Sequence, residues 1–487
     1  MDRMMIICSI VIIISAYSAK LSKRFNIPLL IIFIFIGMLL GSDGIGHIYF
    51  NDPSFAYLIA SLALCFILFY GGFQTKVQDV KPIIKEGVAL SVLGVILNAV
   101  IFAFPIYYLT KLNLLESFLA SSAVASTDAA AVFSLLEFGK IKLKYKLRNV
   151  LEFESGSNDP IAYVMVLMFI SIINDGGQSN STLHYIIFFI RQMLIGAAMG
   201  FFLGYISKFI LERLRLKIEE LYSILIIGIL FFTFSATNLL YGNGFLAIYI
   251  LGIMLRSKKF LYKNSTIKFF SVISWLMQIA LFICLGLLVF PSELIDFAYY
   301  GIPLALILVF IVRPICVFST LAIFGKKYNT KSKLYLSWGG LKGAVPIVFA
   351  IFTMVANVPK SNTIFNLIFF IVLVSVLIQG ATLSLGAKLL GLNEEKSDLI
   401  KEKSDTEELE YFEDQMLELN ITEHSYFAGK QISQINFPEE ALVTLIKRNN
   451  SYVHPKGKTE ILVNDQLVIM CRNKIDFFNY IEELQSE

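Results

Sequence analysis

The sequence predicts an all-α polytopic membrane protein of about 13 spans, followed by a small cytoplasmic α+β domain. Three observations carry this. Of 487 residues, 56% are hydrophobic and only 16% are charged, a balance foreign to soluble globular domains. Apolar runs near the about 17–25 residues that cross a bilayer recur as far as residue 390. After Leu392 the chain abruptly becomes charged, and the apolar runs shorten.

Spans are expected near residues 4–20, 26–42, 55–73, 83–109, 114–137, 149–173, 183–209, 219–239, 242–256, 268–290, 297–324, 334–357 and 362–390. The first has no small-residue cleavage site at its end, so it reads as a retained helix. The connections alternate in charge. Lys20, Lys23 and Arg24 follow the first span, Lys76, Lys81 and Lys85 the third, and Lys140 to Arg148 the fifth. Further basic groups follow the seventh, ninth and eleventh spans. The intervening connections carry almost no cations apart from Lys111 and Lys360. The positive-inside rule then puts the N-terminus outside and the tail in the cytoplasm.

Three parts are expected: a transmembrane domain over 1–392, a charged linker over 393–414, and a cytoplasmic domain over 415–487. In the last, Leu417 to Ile421 alternates as a strand does, and Ala441 to Lys447 and Ile461 to Met470 read as further strands. Asn464-Asp465 reads as a turn and Asp476 to Leu484 as a closing helix.

Polar groups at membrane depth point to function. Glu154-Ser155-Gly156-Ser157-Asn158-Asp159-Pro160 enters a run that otherwise reads as membrane-spanning. A carboxylate in hydrocarbon costs about 2.5–3.5 kcal/mol even on insertion scales, so such groups face a protein interior or a cavity. A plainer reading makes Ser157 or Asn158 the N-cap of a helix with Pro160 in its first turn, but a cap needs no Glu154 at that depth. Two spans are also interrupted, at Ala125-Ser126-Thr127-Asp128 and at Gly339-Gly340-Leu341-Lys342-Gly343. Paired broken helices mark the central site of transporters. Asp128 is suited to balance a positive half-helix N-terminus and Lys342 a negative C-terminus; the alternative for Lys342 is snorkelling from a glycine-rich packing face. Arg313, before Pro314, is expected to hold a kink or a carboxylate.

Other chemistries are poorly supported. The five cysteines form no Cys-x-x-Cys pair, and the four histidines fall in loops or the tail. There is no His-Glu-x-x-His motif and no Gly-x-Ser-x-Gly elbow, so no enzyme is expected. A cation channel with a ligand-gated tail is the rival reading, but no Thr-Val-Gly-Tyr-Gly filter is present.

Ser126-Thr127-Asp128, Glu154 to Pro160 and Gly339 to Pro346 together resemble the cation/proton antiporter superfamily, and the Asn158-Asp159 pair its NhaP-type branch. The tail, from Phe427-Ala428-Gly429-Lys430 to Met470, is similar to TrkA-C (RCK-C) domains. The whole resembles bacterial potassium/proton antiporters. The resemblance implies inverted repeats, two crossing broken helices, a homodimer with a mobile core, and a place in the bacterial plasma membrane. It implies that Asp159 takes either a cation or a proton, that Ser155 and the Thr127 carbonyl are ligands, and that Asp128 lies at the crossing. Glu154, Asn158 and the basic residue of the twelfth span would form a supporting network. The chain departs from the family in two places: Lys342 stands where arginine is usual, so a forked contact would be lost, and Tyr70 stands where many relatives have a carboxylate.

No cofactor is expected beyond the transported K+ or Na+ and H+, and no nucleic acid partner. One ionisable group at the Asn158-Asp159 pair implies one proton exchanged per monovalent cation. The tail resembles domains that bind small ligands, and a nucleotide is one candidate; Lys430, Lys447, Arg448, Lys456 and Lys458 are offered as phosphate contacts, with solvated surface the favoured reading for most of them.

Overall fold

A computed structural model describes residues 29–128, 146–176, 182–214, 218–257, 260–393, 416–422, 425–435, 437–438, 441–448 and 451–471, together with residues 9, 13–15, 17, 18, 132, 136, 143, 144 and 216. The chain forms two compact units: Met1–Phe209 with Leu225–Lys258 and Phe269–Glu394, and Ile210–Ile224 with Lys259–Lys268 and Glu395–Glu487. Most of the first expected span, the linker and the closing helix lie outside the described residues.

The membrane part is helical throughout. Its elements are α1 (Leu29–Leu40), α2 (Pro53–Gln74), α3 (Ile84–Leu109), α4 (Leu114–Ala125), α5 (Leu147–Asn174), α6 (Thr182–Arg213), α7 (Glu220–Leu239), α8 (Gly244–Arg256), α9 (Lys263–Leu287), α10 (Pro291–Ala322), α11 (Thr330–Trp338), α12 (Ala344–Val355) and α13 (Ser361–Leu389). Among the described residues, eight helices are long and apolar enough to cross a bilayer, and four shorter apolar ones accompany them. With α11 and α12 as two halves of one interrupted span, twelve of the thirteen expected spans are found.

Helix starts follow side-chain chemistry. Asp52 caps α2 by accepting from Phe55 N at 3.0 Å, with Pro53 in the first turn. Asn113 and Glu116 form a capping box at the head of α4. Glu116, which reads as interfacial in sequence, is buried there and pairs with Lys360 at 3.2 Å. Lys360 also donates to the Lys111 carbonyl at 2.7 Å. The two lysines that broke the charge alternation are therefore neighbours, joined through the Lys111 backbone.

Helices approach closely where side chains vanish. A Cβ on Gly252 of α8 would lie 2.5 Å from the Phe69 carbonyl of α2, and one on Gly72 would strike the Tyr249 carbonyl. Gly37 of α1 and Gly286 of α9 meet in the same way. In lipid, where apolar side chains gain little from leaving the solvent, such close backbone packing supplies association.

The tail sheet has strands β1 (Met416–Asn420), β2 (Ala441–Arg448), β3 (Ser451–Val453) and β4 (Gln466–Cys471), all antiparallel, in the order β1-β4-β2-β3. Leu417, Phe427, Ile446, Ile461, Leu467 and Ile469 fill its core. The strand expected over Ile461 to Met470 begins only at Gln466, because Leu462 to Asp465 make the turn, with Asn464 at φ +71°. Arg448 forks onto buried Asp465 at 2.8 and 2.7 Å and donates to the Glu460 carbonyl. It is thus committed to the fold, against its expected place among phosphate contacts. Burial pushes the Asp465 carboxyl up, but the Arg448 fork and the Leu462 amide outweigh this and hold it below its ordinary value.

That balance sets a prediction. Arg448→Met leaves Asp465 buried without its fork and should lower the protection of β2 and β4 from hydrogen exchange, by about 1–3 kcal/mol. The pair's contribution is full above the unfolded carboxylate value of about 3.9 and is lost as pH falls through the lower folded value, so the deficit should narrow in acid. Parental protection at neutral pH would show that the fork is dispensable.

Candidate functional site

The site lies where the two interruptions cross. α4 ends at Ala125, and Ser126 is extended, with φ −61° and ψ 151°. α11 ends at Trp338, and α12 resumes at Ala344. Between them the Asp128 amide donates to the Leu341 carbonyl at 2.8 Å. Backbone groups freed by breaking a helix in hydrocarbon must find such partners.

Two of the half-helix ends meet a charge. The buried ammonium of Lys342 donates to the carbonyls of Ala125 and Ser126, at 3.2 and 3.0 Å, at the negative C-terminus of α4. This leaves no place for a snorkelling Lys342. The Asp128 carboxylate lies against Gly343, beside the positive N-terminus of α12; a Cβ at Gly343 would collide with it. Gly343 is therefore required by close approach.

α5 supplies the rest. It runs unbroken from Leu147 to Asn174 with Pro160 in its interior, so Ser157 and Asn158 are not caps of a helix start. Pro160 lacks an N–H and deprives the Gly156 carbonyl of its usual partner. The Asn243 side chain, which also caps α8, donates to the Pro160 carbonyl at 2.7 Å. Facing the α4 interruption, Ser155 Oγ donates to the Thr127 carbonyl at 2.5 Å, and Asn158 Nδ2 to Thr127 Oγ1 at 2.6 Å. Ser126 Oγ donates to Asp159 Oδ1. Asp159, Ser155, Asn158, Thr127 and Ser126 are all buried. They place a carboxylate, three hydroxyls, an amide and a backbone carbonyl together, and hard oxygen donors of this kind suit an alkali cation.

Glu154 faces Lys342 of the twelfth span without bonding to it; its carboxylate is held by Arg313 of α10, at 2.5 Å. Both side chains are almost fully buried. The bond joins a single oxygen and a single nitrogen, since Glu154 Oε2 and Arg313 Nε have no partner among the described residues. The guanidinium sits over Gly340, where a Cβ would strike it. Tyr70, on α2, takes the Gln74 amide.

Ser126 and Asn243 escaped the sequence reading as site residues. Ser126 stands beside Thr127 in the motif, but only the fold shows its hydroxyl on Asp159. Asn243 sits in a short connection and looks like an ordinary cap.

Interrupted helices crossing inside a bundle of spans, with a buried carboxylate at the crossing, define a secondary active transporter. The comparisons carry this to a family: the model of the transmembrane sodium/hydrogen exchanger matches residues 9–388, and the chain belongs to that family. A TrkA-C domain matches residues 416–475. The K(+)/H(+) antiporter NhaP2 of Shewanella sp. (strain MR-4) is 34% identical over 461 residues, 95% of this chain and 80% of the relative. The K(+)/H(+) antiporter NhaP of Alkalimonas amylolytica is 30% identical, over 96% of this chain and 81% of its own. The structure of the sodium proton antiporter MjNhaP1 from Methanocaldococcus jannaschii aligns with a TM-score of 0.67 at 21% identity, over 78% of this chain and all of that one, a likeness of fold.

The Glu154–Arg313 pair makes a quantitative test. Arg313→Met strands a buried carboxylate and should destabilise the detergent-solubilised protein by about 3–5 kcal/mol, whereas Arg313→Met with Glu154→Gln should recover most of that. If the double variant melts no higher than the single one, Arg313 stabilises through packing and not through charge.

Proposed function

We propose that the protein exchanges one monovalent cation, with K+ favoured, for one proton, using the Asp159 carboxylate as the shared site. The observation that carries this is the burial of Asp159 at the crossing, with Ser126, Ser155 and the Thr127 carbonyl around it. Desolvation disfavours a lone carboxylate, so the group holds either a proton or a cation. Each form is near neutral and can pass a hydrophobic barrier; the empty charged form cannot. That selection couples the two fluxes without a separate gate.

Charge at the crossing supports a stoichiometry of one to one. Asp159, Asp128 and Glu154 bring three negative charges and Lys342 and Arg313 two positive ones, so a single proton or monovalent cation discharges the site. Asn158, a neutral amide, anchors Thr127 and adds no charge. The preference for K+ rests on the names of the NhaP2 and NhaP relatives. A conducting pore gains no support, since the chain has the interrupted helices of a carrier. The loop charges favour an N-terminus outside and a tail in the cytoplasm, and the bacterial relatives a place in the plasma membrane. We take it to act as a homodimer, with the TrkA-C tail regulating exchange through a ligand that prefers one of its states.

Two outcomes test this. Asp159→Asn should insert and melt as the parent does, yet release no protons when K+ is added to reconstituted vesicles; exchange at the parental rate would remove Asp159 from the mechanism. Truncation after Leu392 should leave exchange intact and change its dependence on pH or ligand. An inserted but inactive truncation would make the tail part of the transport machinery.

A further inference from the structure

Ser375 and Gln379 are neutral polar residues in the apolar run of α13. Both are buried, and neither belongs to the exchange site described above. Ser375 Oγ donates to Gln379 Oε1 at 2.5 Å. Gln379 Nε2 donates to the Trp338 carbonyl, the last of α11, at 2.8 Å. Ser375 Oγ accepts from the Lys342 amide at 3.3 Å. The two side chains thus hold both ends of the second interruption: a freed carbonyl on one side of Gly339–Leu341 and a freed amide on the other. The turn joining them, Val376–Gly380, is π-helical, a widening found preferentially at functional sites. Asp128 N on the Leu341 carbonyl holds the middle.

We propose that Ser375 and Gln379 are positioning residues for the exchange reaction: by fixing the Lys342 backbone they set where its ammonium stands relative to Asp159. The route is continuous. From Gln379 and Ser375 it reaches the Lys342 amide; from the Lys342 ammonium, the Ser126 carbonyl; and from the Ser126 hydroxyl, Asp159. The inference rests on Asp159 being the exchange carboxylate. The charged and titratable groups facing Lys342 are Glu154 and Asp159 of α5 and Arg313 and Cys316 of α10; Asp128 of the α4 interruption also faces Asp159. Glu154 is already engaged by Arg313, so the ammonium is the cation that biases Asp159 between its ionised and protonated forms. Letting it drift should leave the carboxylate holding its proton more firmly against K+.

The test uses the full chain in vesicles, with K+ as the probe and the apparent KM, maximal rate and pH profile as readouts. Gln379→Leu and Ser375→Ala should each raise the apparent KM for K+ at fixed pH, by about 3–10-fold, and move the pH midpoint of exchange alkaline by about half a unit to one unit. Ser375→Thr, which keeps the hydroxyl, should return both values toward the parent. Thr382→Ala, which removes the bond from the Trp338 indole at 3.1 Å and the hydroxyl's bonds to carbonyls of its own helix but touches neither the Lys342 amide nor the Trp338 carbonyl, should leave the midpoint where it is. A KM and midpoint that stay parental in Ser375→Ala, or a midpoint that moves toward acid, overturn the proposal, even if the variant melts lower. If Gln379→Leu fails to insert, Ser375→Ala decides, since it deletes one oxygen. Asp159→Asn measured alongside separates the two readings: activity there sinks the exchange site itself, whereas an inactive Asp159→Asn beside parental Ser375→Ala and Gln379→Leu sinks only the positioning role.

Discussion

Hydrocarbon offers no partner to a free amide or carbonyl, and the whole membrane domain is arranged around that fact. Breaking α4 after Ala125 and separating α11 from α12 frees polar backbone at membrane depth. The two breaks then satisfy each other, through the Asp128 amide on the Leu341 carbonyl. What the breaks cannot satisfy together is met by single side chains. Lys342 takes the carbonyls ending α4, and Gln379 the carbonyl ending α11. Glycine appears where these approaches leave no room for a Cβ, at Gly340 under Arg313 and at Gly343 under Asp128.

The same constraint produces the chemistry. A break that must be lined by polar groups is also a place where an ion can shed its hydration shell without leaving oxygen ligands. Ser126, Thr127 and Ser155 tie α4 to α5, and Ser126 does so through the Asp159 carboxylate itself. Structural charges stay paired at the edge, Glu154 with Arg313, and so leave one carboxylate to respond to protons and cations. The small residual negative charge at the crossing is what makes one cation and one proton interchangeable there.

Much of this was readable in the chain. Composition and run length gave the spans, and loop lysines their alternation. Asp128, Glu154, Asp159 and Lys342 stood out because ionisable groups are costly at membrane depth, and Asn158 by standing beside Asp159. Pairing was harder to read. Nothing local tells that Glu154 meets Arg313, 159 positions away, in place of Lys342, since both cations are equally plausible from composition. Pro160 matched the signature of a helix start, yet tertiary packing carries α5 straight through it. Ser375 and Gln379 hid because a lone hydroxyl or amide in an apolar helix costs little and so signals little. In the tail, Arg448 resembled a surface cation until the turn at Asn464 brought Asp465 beneath it.

The central claim is that a cation and a proton compete for one buried carboxylate. The most direct measurement is calorimetric titration of the purified protein with K+ in two buffers of different ionisation enthalpy, which counts protons released per cation bound. The account predicts a release approaching one proton per K+ bound at a pH where Asp159 starts protonated, falling toward zero as the starting pH rises. Cation binding with no proton release at any pH would contradict it.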